Sequence, residues 1–371
     1  MAGIYLHIPF CRKKCSYCDF HFSTSFESYR SQMIDGMVCE LISRSGELQV
    51  PIKTIYFGGG TPSLLNQSEL CLLTDTIAKH YDTQSVIEVT LEANPEDISE
   101  HRLMEWKQLG INRLSIGVQS LKTVDLNWMN RSHNAADSLN AVLRAKEAGF
   151  ENLSIDLIYG LPELTLQEWE NHVLKAIELD VQHISSYCLT IEKNTALHSW
   201  MGKGKMNPVS EEVQVVQFKR LIELLVTNGY EHYEISNFAK PGYRAKHNSN
   251  YWKGVPYLGI GPSAHSFDGI NRRWNISNNT LYMKMHEESW YDTECLTAIN
   301  RRNELILTGL RTSEGVDLEQ LNNVHPSNEA FEAQLQTFQK LGWLIHDKNS
   351  IKLTLEGKLR ADYISSELFM V

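Results

Sequence analysis

From residue 4 to residue 189 the chain repeats one pattern. A short run of β-branched and aliphatic residues meets a polar or glycine stop, and a stretch with apolar residues every three to four positions follows. Short apolar runs bounded by turn residues read as strands, and the three-to-four spacing reads as an amphipathic helix. Strands are predicted at 4–8, 54–57, 86–91, 113–118, 153–158 and 183–189, and helices at 27–44, 68–80, 100–109, 135–148 and 166–179. Gly110, Gly149 and Gly229 stand where a helix closes in left-handed backbone. Asn134 and Thr165 stand where one begins. Alternating strands and helices imply parallel pairing with right-handed crossovers. A closed eight-fold barrel and an open doubly wound sheet both meet that condition, but six units favour a partial (β/α)6 barrel, open on one side.

Beyond residue 200 the rhythm changes. A helix at 210–228 leads into Tyr233-Glu-Ile-Ser-Asn-Phe238, and a stretch rich in Gly, Asn, Trp and Tyr runs from Pro241 to Asn279. Such stretches read as loops that carry sites rather than core. From Arg301 the chain is helical again, then forms a small hairpin from 342–346 and 351–354 and a last helix. Helices followed by a two-stranded wing suggest a winged-helix-like appendage. Three regions are therefore expected: a barrel over 1–200, an extension with a binding loop over 201–300, and a mainly helical C-terminal domain over 301–371.

Composition narrows the function. The 371 residues are 42% apolar and carry a formal net charge of −10, the wrong sign for a protein living on phosphate contacts, so nucleic acid is not the expected partner. Seven cysteines in so long a chain do not make a disulfide framework. No apolar run reaches the length of a membrane span, and the first ten residues lack the plan of a signal peptide. The expectation is a cytoplasmic protein in a reducing compartment.

The chemistry concentrates after the first strand. Cys11, Cys15 and Cys18 are spaced Cys-x3-Cys-x2-Cys in one loop. Thiolates select zinc, Cu(I) or iron–sulfur. Structural zinc wants four closed ligands, which His7 or His21 would have to complete. Three cysteines on a [4Fe–4S] cubane instead leave one iron open for a partner molecule. Cys39, Cys71, Cys188 and Cys295 read as isolated buried fillers.

The strand ends add a rim of polar groups: Gly58-Gly59-Gly60-Thr61-Pro62, then Glu92-Ala-Asn94, then Gln119, then Asp156, with Arg131 after the fourth strand. In parallel barrels ligands bind at this end. The glycine run lets backbone approach a charged ligand, or else forms a tight turn before a helix started by Pro62. Glu92, Gln119 and Asp156 are ligand contacts or solvated strand ends. His247-Asn-Ser-Asn-Tyr251-Trp252 pairs a histidine able to ligate haem iron with rings able to pack on a porphyrin. The alternative is a histidine satisfied by a local hydrogen bond. His265 is a second candidate.

Tyr5-x-His7-x-Pro9-Phe10-Cys11-x3-Cys15-x-Tyr17-Cys18 resembles the radical S-adenosylmethionine (SAM) superfamily. Within it the chain is similar to the branch of oxygen-independent coproporphyrinogen III oxidases and their haem-chaperone relatives. Tyr187-x-Leu189, Tyr233 to Ala239, and His247 to Trp252 extend the likeness along the chain. The resemblance implies a [4Fe–4S] cluster on Cys11, Cys15 and Cys18, with SAM chelating the open iron. When reduced, such a cluster cleaves SAM to a 5′-deoxyadenosyl radical and methionine. It implies that Gly59, Gly60 and Thr61 hold the amino group of SAM, that Glu92, Gln119, Arg131 and Asp156 hold its carboxylate, ribose and surroundings, and that Tyr5 and Tyr17 flank it. It implies haem at His247, Tyr251 and Trp252.

Two departures separate the chain from the oxidases. Phe20 stands where they carry a further cysteine, and little chain precedes Cys11. The expected function is therefore a haem chaperone that passes haem to acceptors such as respiratory enzymes, served by a flavodoxin or ferredoxin as electron donor. No catalytic side chain is assigned. The alternative is a coproporphyrinogen III dehydrogenase turning propionates into vinyls.

Overall fold

Alternation along the first strand sorts residues onto two faces. Ile4, Leu6 and Ile8 are fully buried in the main core, whereas Tyr5 and His7 point the other way and line a cavity. The computed structural model describes residues 1–284 and 290–370. In it β1 (Ala2–Ile8), β2 (Ile52–Gly59), β3 (Glu88–Ala93), β4 (Arg113–Gln119), β5 (Leu153–Tyr159) and β6 (His183–Cys188) lie side by side in chain order, all parallel. Helices alternate with these strands, including Arg30–Ser43, Gln67–His80, Glu100–Gln108, Ala135–Glu147 and Leu166–Glu178. Asn134 and Thr165 each close a reciprocal capping box. Gly110, Gly149 and Gly229 take positive φ.

The predicted third strand is displaced. It starts at Glu88 rather than Val86 and runs to Ala93. Glu88 is buried and accepts the backbone N–H groups of Lys246 and His247. A carboxylate so engaged is held at the start of the strand. Pairing also puts polar residues in register on one face: Tyr56 beside Thr90, Thr90 beside Arg113, Glu92 beside Ser115, and Asp156 beside Ser185. The barrel therefore has an apolar outer face under helices and a polar inner face.

The stretch expected to be loop, 241–279, contains three strands of the main sheet. After β7 (Glu231–Glu234) and β8 (Asn237–Ala239), which extend the sheet antiparallel beyond β6, comes the helix Lys246–Trp252. Then β9 (Tyr257–Ile260) pairs in parallel with β1, and β10 (His265–Phe267), β11 (Asn271–Asn275) and β12 (Tyr291–Cys295) continue antiparallel. The result is a twelve-stranded sheet in which β1 is interior, the partial barrel with both edges extended. These strands have three to five residues, too short for a clear period.

A second core gathers Ile306, Leu310, Val316, Leu321, Phe331, Leu335 and Phe338. The helices Ala298–Leu310, Leu318–Val324 and Glu329–Lys340 pack there with β13 (Val316–Asp317), β14 (Leu344–Asp347) and β15 (Ser350–Leu353), the last two forming the wing. This is the winged-helix-like appendage. It meets the barrel extension through Arg311, whose Nε donates to Glu234 at 3.2 Å and whose carbonyl accepts from the Ile235 N–H.

None of the four cysteines expected inside is fully buried: Cys71 and Cys188 are half-buried, and the other two lie at the surface. Cys39 and Cys295 are exposed, one on the outer side of the helix Arg30–Ser43 and one at the end of the exposed strand β12. Among the described residues no helix is long and apolar enough to cross a membrane.

Candidate functional site

The cysteine loop leaves β1 at Phe10 and is clamped at its base, where Cys11 N–H donates to the Ser23 carbonyl at 3.1 Å and Ser23 N–H to the Pro9 carbonyl at 2.9 Å. Its tip is tied to the barrel rim. Ser16 N–H donates to the Met129 carbonyl and the Asn130 amide to the Lys14 carbonyl. Cys11, Cys15 and Cys18 are half-buried free thiols. Donors already point at two of them: the Thr61 hydroxyl lies 3.4 Å from Cys11 Sγ, and Arg131 Nη1 lies 3.5 Å from Cys15 Sγ. Burial pushes the Cys11 thiol up to about 12 and the Cys18 thiol up to about 11, while Thr61 and Arg131 pull Cys11 back. Loading a thiolate-bound metal centre therefore releases protons. Among the described residues no three His, Cys, Asp or Glu side chains converge on a single-ion site. His7 Nε2 is bonded to the His21 carbonyl and His21 Nε2 to Asn279, so both rings are engaged away from the thiols.

The glycine run serves close packing. A Cβ on Gly59, at φ +103°, would lie 2.6 Å from His7 Nδ1, and one on Gly60 would lie 2.7 Å from the Ile8 and Phe10 carbonyls. Only bare backbone lets β2 end this close to the start of the cysteine loop. The Gly60 N–H donates to the Ile8 carbonyl and the Gly59 N–H to Glu92.

The rim residues form one connected set. Glu92 accepts from the Tyr56 hydroxyl at 2.7 Å and from the Gly59 N–H at 3.2 Å. Arg131 reaches Asn94 at 2.7 Å and the Gly117 carbonyl at 2.9 Å as well as Cys15. Gln119 sits at φ +65°, its amide against Gly117. Tyr17 is half-buried against the main core, and Tyr5 stacks on Tyr56, ring centroids 6.0 Å apart. Burial raises Glu92 to about 7, opposed by Tyr56, and raises Asp156 to about 6, opposed by Ser185 and Arg113. Two half-buried carboxyls held back from ionising at one rim suit a cationic ligand.

His247 lies elsewhere. It is 2% exposed, with Nδ1 bonded to Thr54 Oγ1 at 2.8 Å and Nε2 to the Tyr251 hydroxyl at 2.8 Å. It lies by the beginnings of β1 and β2, within 3.0 Å of where a Gly3 Cβ would stand. Both ring nitrogens are used inside the protein, so this conformation offers no lone pair to iron. Of the His-Asn-x-x-Tyr-Trp motif, Tyr251 and Trp252 do line a cavity of about 820 Å³. The same cavity is lined by Tyr5, His7, His21, Gly59 and Glu92, so the rim and the motif share one space. The residues that sequence reasoning missed are Tyr56, the hydroxyl donor to Glu92, and Arg272 and Arg301 on the far wall. Tyr56 was findable by strand alternation. The arginines carry no local signal.

Residues 5–176 match the radical SAM superfamily and residues 296–360 the HemN C-terminal domain. The superfamily carries a [4Fe–4S] cluster and SAM. Over 369 residues the chain is 34% identical to the haem chaperone HemW of Bacillus subtilis (strain 168), with 97% of each chain covered. It is 33% identical to the HemW of Lactococcus lactis over 95% of this chain and 93% of that one. It is 30% identical to the mitochondrial radical S-adenosyl methionine domain-containing protein 1 of Danio rerio, over 98% and 86%. In fold it is similar to coproporphyrinogen III oxidase (HemN) of Escherichia coli, with a TM-score of 0.85 at 22% identity over 100% of this chain and 90% of that one. With relatives of this identity along nearly its whole length, the chain belongs to the HemW family, built on a radical SAM scaffold.

Proposed function

We propose that this protein is a haem chaperone: it holds one [4Fe–4S] cluster and SAM at the barrel rim, takes up haem in the adjoining cavity, and passes it to a haem-accepting protein such as a respiratory enzyme. Cys11, Cys15 and Cys18 are the cluster's three ligands, with SAM on the fourth iron. The observation that carries the reading is the single cavity reaching from Gly59 and Glu92 at the rim to Tyr251 and Trp252 on the motif helix. Its volume falls within the range of about 300–1,000 Å³ usual for ligand sites.

A bound cluster would supply one-electron reduction of SAM, drawing on a flavodoxin- or ferredoxin-like donor. The chain's own residues do the holding. Thr61 and Arg131 stabilise thiolate charge on Cys11 and Cys15. Glu92 and Asp156 face the ammonium and ribose of SAM, Arg131 its carboxylate, and Tyr5 and Tyr17 flank it, with Gln119 beside Arg131. Because the Gly59 and Gly60 N–H groups are taken, the run offers an ammonium its carbonyl oxygens. Family membership favours the chaperone, and Phe20, 67% exposed where the oxidases carry a further cysteine, separates the chain from the oxidase reading.

The test is anaerobic reconstitution followed by three measurements: iron and sulfide content with the cluster absorbance and its response to SAM, haem titration, and transfer of bound haem to an apo-haem protein. A cluster that responds to SAM, saturable haem binding and transfer are the expected results. Robust conversion of coproporphyrinogen III under reductant and SAM, without haem transfer, would overturn the chaperone reading.

A further inference from the structure

Among the elements bounding the same cavity, β10 and β11 form a two-stranded wall. His265 and Phe267 alternate on β10 and stand opposite Trp274 and Arg272 on β11, so all four share one face. His265, Phe267 and Arg272 line the cavity. Trp274 backs His265, with ring centroids 6.3 Å apart and planes 28° from parallel. The facing helix, Ala298–Leu310, brings Arg301 and Glu304 into the same space.

Three groups on this wall have no full account inside the protein. The exposed His265 ring makes no hydrogen bond among the described residues. Arg272 pairs with Glu304 at 2.8 Å, yet its Nε is buried without a partner. Arg301 has a buried, unpartnered Nε and no carboxylate partner among the described residues. An unpaired N–H beside a cavity is a donor that an incoming acceptor can use. Partial desolvation and the charge of Arg272 both lower the pKa of His265 from its ordinary value, which favours the neutral ring with its lone pair.

Haem is a flat aromatic disk with two carboxylates on one edge and an iron that takes imidazole. Arginines are matched to carboxylates, and Phe267 and Tyr257 supply apolar and aromatic surface in the same cavity. We infer that this wall is the haem seat of the chaperone proposed above: His265 faces the iron, and Arg272 and Arg301 take the propionates. His247 is then a structural bracket that fixes Tyr251 against the seat. The inference rests on the haem reading and goes beyond it by naming the ligand and the propionate pair.

The test uses the full-length chain titrated with ferric haem and read by its Soret and visible bands and by electron paramagnetic resonance. The wild type is expected to give a histidine-ligated spectrum. In His265→Gly that ligand signature is lost and affinity falls at least about tenfold, and added imidazole restores the signature. His247→Ala keeps it. Arg272→Gln with Arg301→Gln weakens haem about tenfold but leaves the haem dimethyl ester, which lacks propionate charge, unaffected. An unchanged signature in His265→Gly, with loss in His247→Ala, overturns the ligand assignment while the haem reading stands. Equal effects of the double variant on haem and its ester overturn the propionate assignment. Absence of saturable haem binding by the wild type overturns the chaperone reading and the seat together.

Discussion

The two walls of the cavity differ in how many partners their polar groups already hold. On the barrel rim the charged side chains hold several partners each: Glu92 holds Tyr56 and Gly59, and Arg131 holds Asn94, Gly117 and Cys15, with only its Nε left over. On the far wall His265 is exposed without a hydrogen bond, and Arg272 and Arg301 each keep a buried nitrogen unpartnered. A site held in advance suits a resident cofactor, because its geometry costs nothing to assemble. A site with unspent donors suits a cargo, which gains those bonds on arrival and returns them on departure. The contrast rests on His265 and Arg301, whose side chains make no hydrogen bond among the described residues, rather than on an orphaned nitrogen alone, since Arg131 at the rim keeps one too.

The sharpest way to break this contrast is at the thiols. Cys18→Ala is expected to drop bound iron from about four per chain to near zero, while ferric haem still binds at the far wall. Iron analysis and haem titration on one preparation check both halves. Loss of haem binding together with iron would make the two walls one site.

Glu92→Gln is the next largest. With the cluster intact, SAM affinity is expected to fall at least about tenfold, as a charge-assisted contact is removed. The pH dependence sharpens it. Burial holds the Glu92 carboxyl at about 7 against an ordinary 4.5. The carboxylate form receives a cation, so SAM binding in the wild type tightens as pH rises through 7, and the variant flattens that rise. In the ligand-free protein the sign for stability is opposite. A carboxyl raised on folding favours the native state most below pH 4.5, and that contribution is lost as pH climbs through 7.

His247→Ala tests the bracket. Its removal leaves Thr54 and Tyr251 unpaired in a buried setting, an expected cost of about 2–4 kcal/mol by denaturant melting. Burial holds His247 near 3, against an ordinary 6.5. A histidine lowered on folding contributes stability above pH 6.5 that is lost as pH falls toward 3, so wild type and variant should converge in acid. A melting midpoint unchanged by the substitution would return His247 to the list of ligands.

The smallest effect belongs to Arg301→Ala. Without haem it should move stability by no more than about 0.5 kcal/mol, since the side chain has no carboxylate partner to lose. A larger loss would mean that the far wall is as tightly knit as the rim.

The legible parts of this molecule are those decided locally. The capping boxes at Asn134 and Thr165, the closing glycines and the six strands follow from period and turn chemistry within a few residues. The rim was readable because parallel strands deliver their last residues to one end. The far wall was not, because β10 and β11 are three and five residues long and their partners are set by long-range pairing. The bounds predicted for the third strand miss by two residues at each end, and the buried partners of its first residue Glu88, the Lys246 and His247 amides, come from far along the chain. Cys39 and Cys295 show that cysteine type alone does not imply burial.

Strand β1 is hydrogen-bonded on one side to β2 and on the other to β9, with Gly3 beside Tyr257. During synthesis its second edge stays bare until the ribosome has made Tyr257–Ile260, an interval on the order of 10–50 s at usual elongation rates. The thiol loop hangs from that half-paired strand throughout. An iron–sulfur donor acting before β9 has emerged would meet cysteines whose far-side support does not yet exist, so the loop is expected to accept a metal centre only once that second edge has been zipped.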